Sequence, residues 1–222
     1  MHGGDNIGRL NRLLEAAGLP AVDAERASAF ENYLQLILRW NARINLTAIR
    51  EEEGILSRHF VESIACSQAL PAGVKTLLDF GSGAGFPGIP IAICRPDVVV
   101  TLAESQGKKA AFLQEAVRSL GLQAFVFSGR AESLTQCFDC VALRAVDRME
   151  QAVSLAAQLL LPQGWLALMT TEQTVPLLRL AAGSSFEWPA PVKLLDSARQ
   201  VIAFGKKSKG KEERGNELTL TK

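Results

Sequence analysis

The sequence predicts an α/β protein with a doubly wound, mostly parallel sheet, an N-terminal helical extension and an antiparallel C-terminal hairpin. Three observations predict it. Residues 1–70 carry apolar side chains at helical spacing. From Pro71 onward, short β-type runs alternate with helical runs, the pattern of βαβ units. The last two β-type runs follow each other without a helix between them, so they pair antiparallel.

Each element has a local reason. Leu10, Leu13, Leu14 and Ala17 fall at i, i+3, i+4 and i+7, and Gly18-Leu19-Pro20 stops that helix. Asp23 is an N-cap for the next, in which Phe30, Tyr33, Leu34, Ile37, Trp40 and Ile44 trace one apolar stripe. Glu51, Glu52 and Glu53 suit the positive end of a third helix, with Leu56, Phe60 and Ile64 on one side. The period changes at Pro71-Ala72-Gly73. Strands are expected at 74–80, 98–103, 124–128, 138–143 and 165–170. Helices are expected at 89–94, 108–120, 149–161 and 175–182, with Pro87 in the first turn of the earliest. The closing hairpin is expected from 192–195 and 200–204. The expected division is a helical extension over 1–70, an α/β domain over 71–205 and a polar basic tail over 206–222.

Composition narrows the class. Apolar residues make 48% of the 222 and charged residues 21%, enough for a sizeable core and too apolar for disorder. Lys plus Arg is 24 against 23 Asp plus Glu, a net charge of +1. That excludes a strongly basic nucleic-acid coat but leaves room for a locally basic face. Four cysteines are too few for a disulfide scaffold. With no signal-peptide pattern and no apolar run of about 18 residues, a soluble cytoplasmic protein without a membrane partner is expected. The Asn45-Leu46-Thr47 sequon is then empty.

The glycine-rich turn after the first strand carries the chemistry. In an open α/β sheet this crossover lies beside the switch point where ligands bind. Here it reads Asp79-Phe80-Gly81-Ser82-Gly83-Ala84-Gly85-Phe86-Pro87-Gly88. Gly83 to Gly88 satisfies the dinucleotide pattern G-x-G-x-x-G, but its register is wrong. Counted from Gly81, the first glycine after the strand, the third glycine falls on Phe86. A bulky Phe suits a cofactor without a pyrophosphate, such as S-adenosylmethionine (SAM). Asp79 could orient the loop or face the cofactor. Glu104 and Ser105 end the second strand, where a carboxylate can accept from ribose hydroxyls. Ala131 and Glu132, behind Arg130 after the third strand, sit where many SAM enzymes hold adenine.

With these residues in order, the chain resembles the RsmG (GidB) family, Rossmann-like SAM-dependent methyltransferases of bacterial small-subunit rRNA that modify guanine N7. The resemblance runs from about Leu34 to Lys207. It rests on Trp40-Asn41 with Asn45-Leu46-Thr47, on Arg58-His59-Phe60-Val61-Glu62-Ser63, and on the glycine loop with its Phe-Pro-Gly-Ile-Pro continuation. Lys108-Lys109, Phe112-Leu113, Arg130-Ala131-Glu132, Arg144-Ala145-Val146 and Arg199 complete it. The resemblance implies that Gly81, Phe86, Ala131, Glu132 and Arg144 touch SAM and that Glu104 lies near its ribose. Asp79, Gly83, Gly85 and Ser105 join this cofactor set. It implies that Arg130, Arg144 and Arg199 face the RNA, and that the target is a guanine in the 530 loop of 16S rRNA. The partner is then 16S rRNA or a small-subunit precursor, with no metal and a monomeric enzyme. Three departures stand out. Glu62 and Glu104 occupy places where the family commonly has the shorter Asp, and Met169-Thr170-Thr171 stands where it commonly has Lys-Gly.

The chemistry sets further expectations. Guanine N7 carries no proton, so methyl transfer to it needs no general base; proximity, alignment and a dry pocket suffice. His59 is therefore expected to be structural. An arginine reading both O6 and N7 would block the attacking atom. Arg144 is expected to position substrate without touching N7, and Arg130 and Arg199 to hold phosphates. Cys137-x-x-Cys140 is expected as packed thiols, and the Tyr33–Trp40 stripe as core. The basic tail reads either as a solvated tail or as a phosphate-seeking arm. Competing readings are a small-molecule SAM methyltransferase, a dinucleotide-dependent oxidoreductase and a non-catalytic rRNA-binding assembly factor.

Overall fold

The structure, a computed structural model, describes residues 5–194 and 199–209, with side chains from residue 8 onward. Two helices, α1 (Asp5–Ala16) and α2 (Ala24–Asn41), open the chain. Asp23 caps α2: its carboxylate accepts from the Arg26 amide at 2.8 Å, satisfying an orphan donor of the first turn. The expected third helix is not uniform. It comprises α3 (Glu52–Gly54), a π-helical stretch Ile55–Val61, and α4 (Glu62–Ala69). Leu56, Phe60 and Ile64 are all buried in it. A π stretch widens the turn and is a common feature of functional sites; no apolar period announces it.

Among the described residues the sheet has eight strands: β1 (Thr76–Phe80), β2 (Val99–Glu104), β3 (Ala124–Ser128), β4 (Phe138–Arg144), β5 (Leu160–Thr171), β6 (Phe186–Glu187), β7 (Val192–Lys193) and β8 (Gln200–Lys207). Their order is β3-β2-β1-β4-β5-β8-β6, with β7 also paired to β8. The first five strands are mutually parallel and β8 runs antiparallel to β5, β6 and β7. The order reverses between β1 and β4, which puts a topological switch point at their carboxyl ends. The crossovers are α5 (Gly88–Cys94), α6 (Gly107–Ser119) and α7 (Met149–Gln158), and α8 (Val175–Ala182) precedes the closing strands.

Several expectations need correction. The helix expected over 149–161 stops at Gln158, because Leu160 already pairs with Phe138. Pro162 pushes Leu161 away from helical backbone, so β5 starts there rather than at Trp165. The last strand continues past Phe204 to Lys207, so Lys206 and Lys207 are sheet residues. The Lys206 ammonium lies 5.5 Å from the Trp165 ring, and Lys207 donates to the carbonyls of Ala157 and Leu160. β6 was not expected, and β7 is only two residues long: Leu194, expected in it, is described and lies outside the strand, while Leu195 lies outside the described residues, as does the tail beyond Lys209. Finally, of the Cys137–Cys140 pair only Cys140 is packed, inside β4; Cys137 precedes the strand, which begins at Phe138, and is exposed.

Two apolar clusters cover the two sheet faces, and neighbours on one strand go to different clusters: Leu77 to one and Leu78 to the other. The second cluster is roofed by α7 and α8. The first joins α5 and α6 to α1, α2, the π stretch and α4. The N-terminal helices therefore share a core with the sheet. Tyr33 shows the joint: it is fully buried, lies 5.3 Å from Phe60 and 5.6 Å from Phe86, and donates to the Ala84 carbonyl of the glycine loop. No described helix is long and apolar enough to cross a membrane.

Candidate active site

A cleft of about 810 Å³ opens over the carboxyl ends of β1, β2, β3 and β4. Its volume lies in the range of small-ligand sites, about 300–1,000 Å³. It has two halves, one built by the sheet and one by the N-terminal helices.

The sheet half is a backbone cradle. Gly81 and Gly83 have φ of +74° and +58°, which side chains resist, and the Gly81 and Ser82 amides both donate to the Ala103 carbonyl. This draws the loop across the end of β2. Glu104 then grips it: one carboxylate oxygen accepts from the Gly83 amide at 2.9 Å, the other from the Gln106 amide at 2.7 Å. Each oxygen keeps a second lone pair for a ligand. Gly81, Gly83, Phe86, Glu104, Ser105, Arg130, Ala131, Glu132 and Arg144 all line the cleft. Arg130 is exposed and its Nε donates to Glu132 at 2.8 Å.

Three residues of the expected set stand elsewhere. Asp79 is fully buried below the loop and does not line the cleft. Its Oδ2 accepts from the Gly88 amide at 3.0 Å, anchoring the start of α5, while its Oδ1 has no partner among the described residues. Burial pushes its pKa up to about 7 against the pull of those hydrogen bonds. Of the two roles considered for Asp79, this geometry is the loop-orienting one. Gly85 faces the core rather than the cleft: a Cβ there would come within 2.8 Å of the Tyr33 hydroxyl and 2.5 Å of Ile89. Arg199 is exposed at the start of β8, outside the cleft; its carbonyl accepts from the Glu172 amide.

The helical half supplies partners that the sequence reading did not place. Arg144 ends β4, and its guanidinium turns under the N-terminal helices. Nη2 donates to Glu62 at 2.6 Å and to the Arg58 carbonyl of the π stretch at 2.8 Å; Nη1 donates to Ser63 at 3.4 Å. The Arg144 and Glu62 side chains are only 12% and 7% exposed, so this is a buried ion pair. Burial raises the pKa of Glu62, and the guanidiniums of Arg144 and Arg58 oppose that rise. Arg58 completes the clamp at 3.2 Å. One Nη1 hydrogen and Nε–H of Arg144 remain without a partner among the described residues.

His59 faces the same space. Its ring stacks on Phe86 at 4.5 Å and its Nε2 meets the Thr47 hydroxyl at 2.8 Å. Burial first, then the charges of Arg144 and Arg58, lower its pKa to about 3. The imidazole is therefore neutral at physiological pH and is a very weak base. Thr47 and Leu46 reach the cleft because Asn41, at the end of α2, accepts from both their amides and donates to the Ile49 carbonyl. The available signal for this half was the order of the short Asn45-Leu46-Thr47 and Arg58–Ser63 pieces, not any local period.

The chain matches the family model GidB, rRNA small subunit methyltransferase G, over residues 26–179. It belongs to that family. A relative from Xanthomonas campestris pv. campestris strain B100, named ribosomal RNA small subunit methyltransferase G, is 42% identical over 69% of this chain and 74% of its own length. One of the same name from Stenotrophomonas maltophilia is 44% identical over 67% of this chain and 70% of its own. Among solved structures, a methyltransferase from Pyrococcus furiosus shares the fold with a TM-score of 0.61 at 11% identity, covering 84% of this chain and all of that one. The M. jannaschii protein TYW2, solved in complex with AdoMet, has a TM-score of 0.56 at 16% identity, covering 69% and 78%. At these identities the structures speak to the fold, a Rossmann-like methyltransferase sheet. The matched span contains Arg58, His59, Glu62 and Arg144 of this chain.

Proposed function

We propose that this protein methylates N7 of a guanine in the 530 loop of 16S rRNA, using S-adenosylmethionine. The carrying observation is a cleft that holds a locked guanidinium beside an imidazole kept neutral, with a pKa of about 3. Such a site positions a substrate and is poorly suited to removing a proton, and N7 has none to remove.

The residues present fit the cofactor. Glu104 offers carboxylate lone pairs to a ribose, the side-chain-free Gly81 and Gly83 leave backbone to face a ligand, and Ala131 with Glu132 forms the turn beyond β3. A Cβ at Gly81 would close to 3.3 Å on Val146, narrowing this cradle. When bound, SAM supplies a methyl group activated by a sulfonium. Phe86 and His59 wall the cleft and exclude water. Arg144 directs its free N–H groups toward the guanine O6, leaving N7 clear for in-line attack. We place Arg199, at the carboxyl edge of the sheet, on the RNA side. We further propose that the enzyme works in the cytoplasm as a monomer without a metal, on rRNA or a small-subunit precursor.

The test is transfer of tritiated methyl to 16S rRNA and to 30S particles from a strain lacking this gene. The expected label maps to one 530-loop guanine N7. Label at another nucleotide, or none, overturns the reading. Arg144→Ala is expected to lower turnover by about 100-fold or more; near-wild-type turnover would remove it from the site.

A further inference from the structure

Beside the main cleft lies a second, polar recess of about 420 Å³. Its walls are the loop after α2, which brings Arg43, Asn45 and Arg50, and the first turn of α6, which brings Lys108 and Lys109. No carboxylate lines it. Among the described residues none of its four cations forms an ion pair, whereas Arg58, Arg95, Arg130 and Arg144 all do. Arg50 has only a neutral partner, the Asn45 side chain at 2.9 Å.

Left to itself, this arrangement is unfavourable. Four like charges around one recess repel each other. Two of them also sit in the first turn of a 13-residue helix, at the positive end of its dipole, where the turn itself holds no acidic residue and the nearest acid, Glu104, is bound to the Gln106 amide. An anion in the recess would relieve both penalties.

Its place identifies that anion. Gln106 and Lys109 line both the recess and the main cleft. The loop after α2 is also shared: Leu46 and Thr47 face the cleft, while Arg43, Asn45 and Arg50 face the recess. Asn41 fixes the loop that joins the two. A polymer that inserts a base into the cleft must carry its backbone over the neighbouring rim.

We propose that this recess is a phosphate-binding subsite for the substrate's RNA backbone, holding a phosphate next to the nucleotide that enters the cleft. The inference rests on the RNA-methyltransferase reading and deepens it. Lys109, on the shared wall, bridges the subsite and the reacting base. Arg43 and Lys108, both exposed, set affinity without supporting the fold.

The experiment compares the full-length wild type with Arg43→Gln/Lys108→Gln, and with Lys75→Gln as a single neutralisation of an ion-paired cation before β1, at the opposite end of the sheet. Binding of a 16S rRNA fragment containing the 530 loop is titrated over a series of salt concentrations. SAM affinity and methyl transfer are measured in parallel, with inorganic phosphate as a competitor. The double variant is expected to bind RNA roughly tenfold or more weakly, with a salt slope shallower by about 1.4, two contacts at about 0.7 each on a single strand. KM for RNA should rise while SAM affinity and the Lys75→Gln slope stay put. Millimolar phosphate should compete with RNA in the wild type and less so in the double variant.

A wild type that methylates RNA while the double variant keeps its slope and KM would overturn the subsite and leave the functional reading standing. RNA binding that depends on the recess, without methyl transfer by the wild type, would uphold the subsite and overturn that reading. A recess that answers to free phosphate but not to RNA, or a wild type that neither binds nor methylates RNA, would overturn the subsite as a backbone contact.

Discussion

The two halves of the cleft are held by opposite means. The sheet half gathers the ends of neighbouring strands, and its glycine loop is held through backbone amides, on the Ala103 carbonyl and on the Glu104 and Asp79 carboxylates. The helical half is assembled by side chains across the molecule. Arg144 meets Glu62 from 82 residues away, and Thr47 meets His59. The sheet half needs small residues so that backbone can approach. The helical half needs paired charges and a neutral ring so that a guanidinium can be buried without collapsing the site. The difference predicts different failures on each side.

The largest effect is expected at Glu62. Glu62→Ala removes the carboxylate facing a buried guanidinium, which should cost about 3–5 kcal/mol. Urea denaturation at pH 7 measures it, and a cost under about 1 kcal/mol would mean that Arg144 finds water instead. Glu62→Asp keeps the charge and tests whether the longer acid is required here.

On the sheet side, Gly85→Ala places a Cβ against Ile89 and Tyr33 at a φ of +90°. Overpacking and backbone strain together should cost about 3 kcal/mol. An unchanged midpoint in thermal or chemical denaturation would show that the loop can shift.

A pH comparison separates the halves more finely. His59 has a pKa of about 3 in the fold against an ordinary 6.5. Between those values only the unfolded chain binds its proton, so this residue makes stability fall as pH drops. Asp79 has a pKa of about 7 in the fold against 3.8. Between those values only the fold keeps the proton, so Asp79 makes stability fall as pH rises. The two slopes oppose each other over much of pH 4–6.5. Relative to wild type, the stability of His59→Gln should decline as pH rises through that range, and that of Asp79→Asn should increase. Parallel curves for the two variants would break the assignment.

The smallest effect belongs to the rim. Arg130→Gln breaks an exposed pair with Glu132, and stability should change by no more than about 0.5 kcal/mol. A larger loss would make the Arg130–Glu132 turn part of the fold's support rather than an exposed rim of the cleft.

How much of this was legible follows from the same contrast. The strand–helix order, the glycine loop and the acids at 104 and 132 lie in local patterns of two, 3.6 or a few residues. The expected bounds of β3 and α8 coincide with those observed. The β5 start was missed because an apolar period could not distinguish Leu160–Leu161 as helix from strand. His59 and Glu62 were visible as letters, but their roles were not. A π stretch inside a helical run and a clamp spanning 82 residues leave no short-range trace.

The sequence by itself determined the α/β class, the place of the glycine loop and a near-neutral charge that leaves room for a locally basic recess. Only the tertiary structure decided that Asp79 supports the loop from beneath, that Gly85 serves packing, that Arg199 stands outside the cleft and that His59 is a neutral wall of it. The reason is physical. Local backbone preference and periodicity act over a few residues. Burial, desolvation and the pairing of charges depend on which distant segments the folded core brings together.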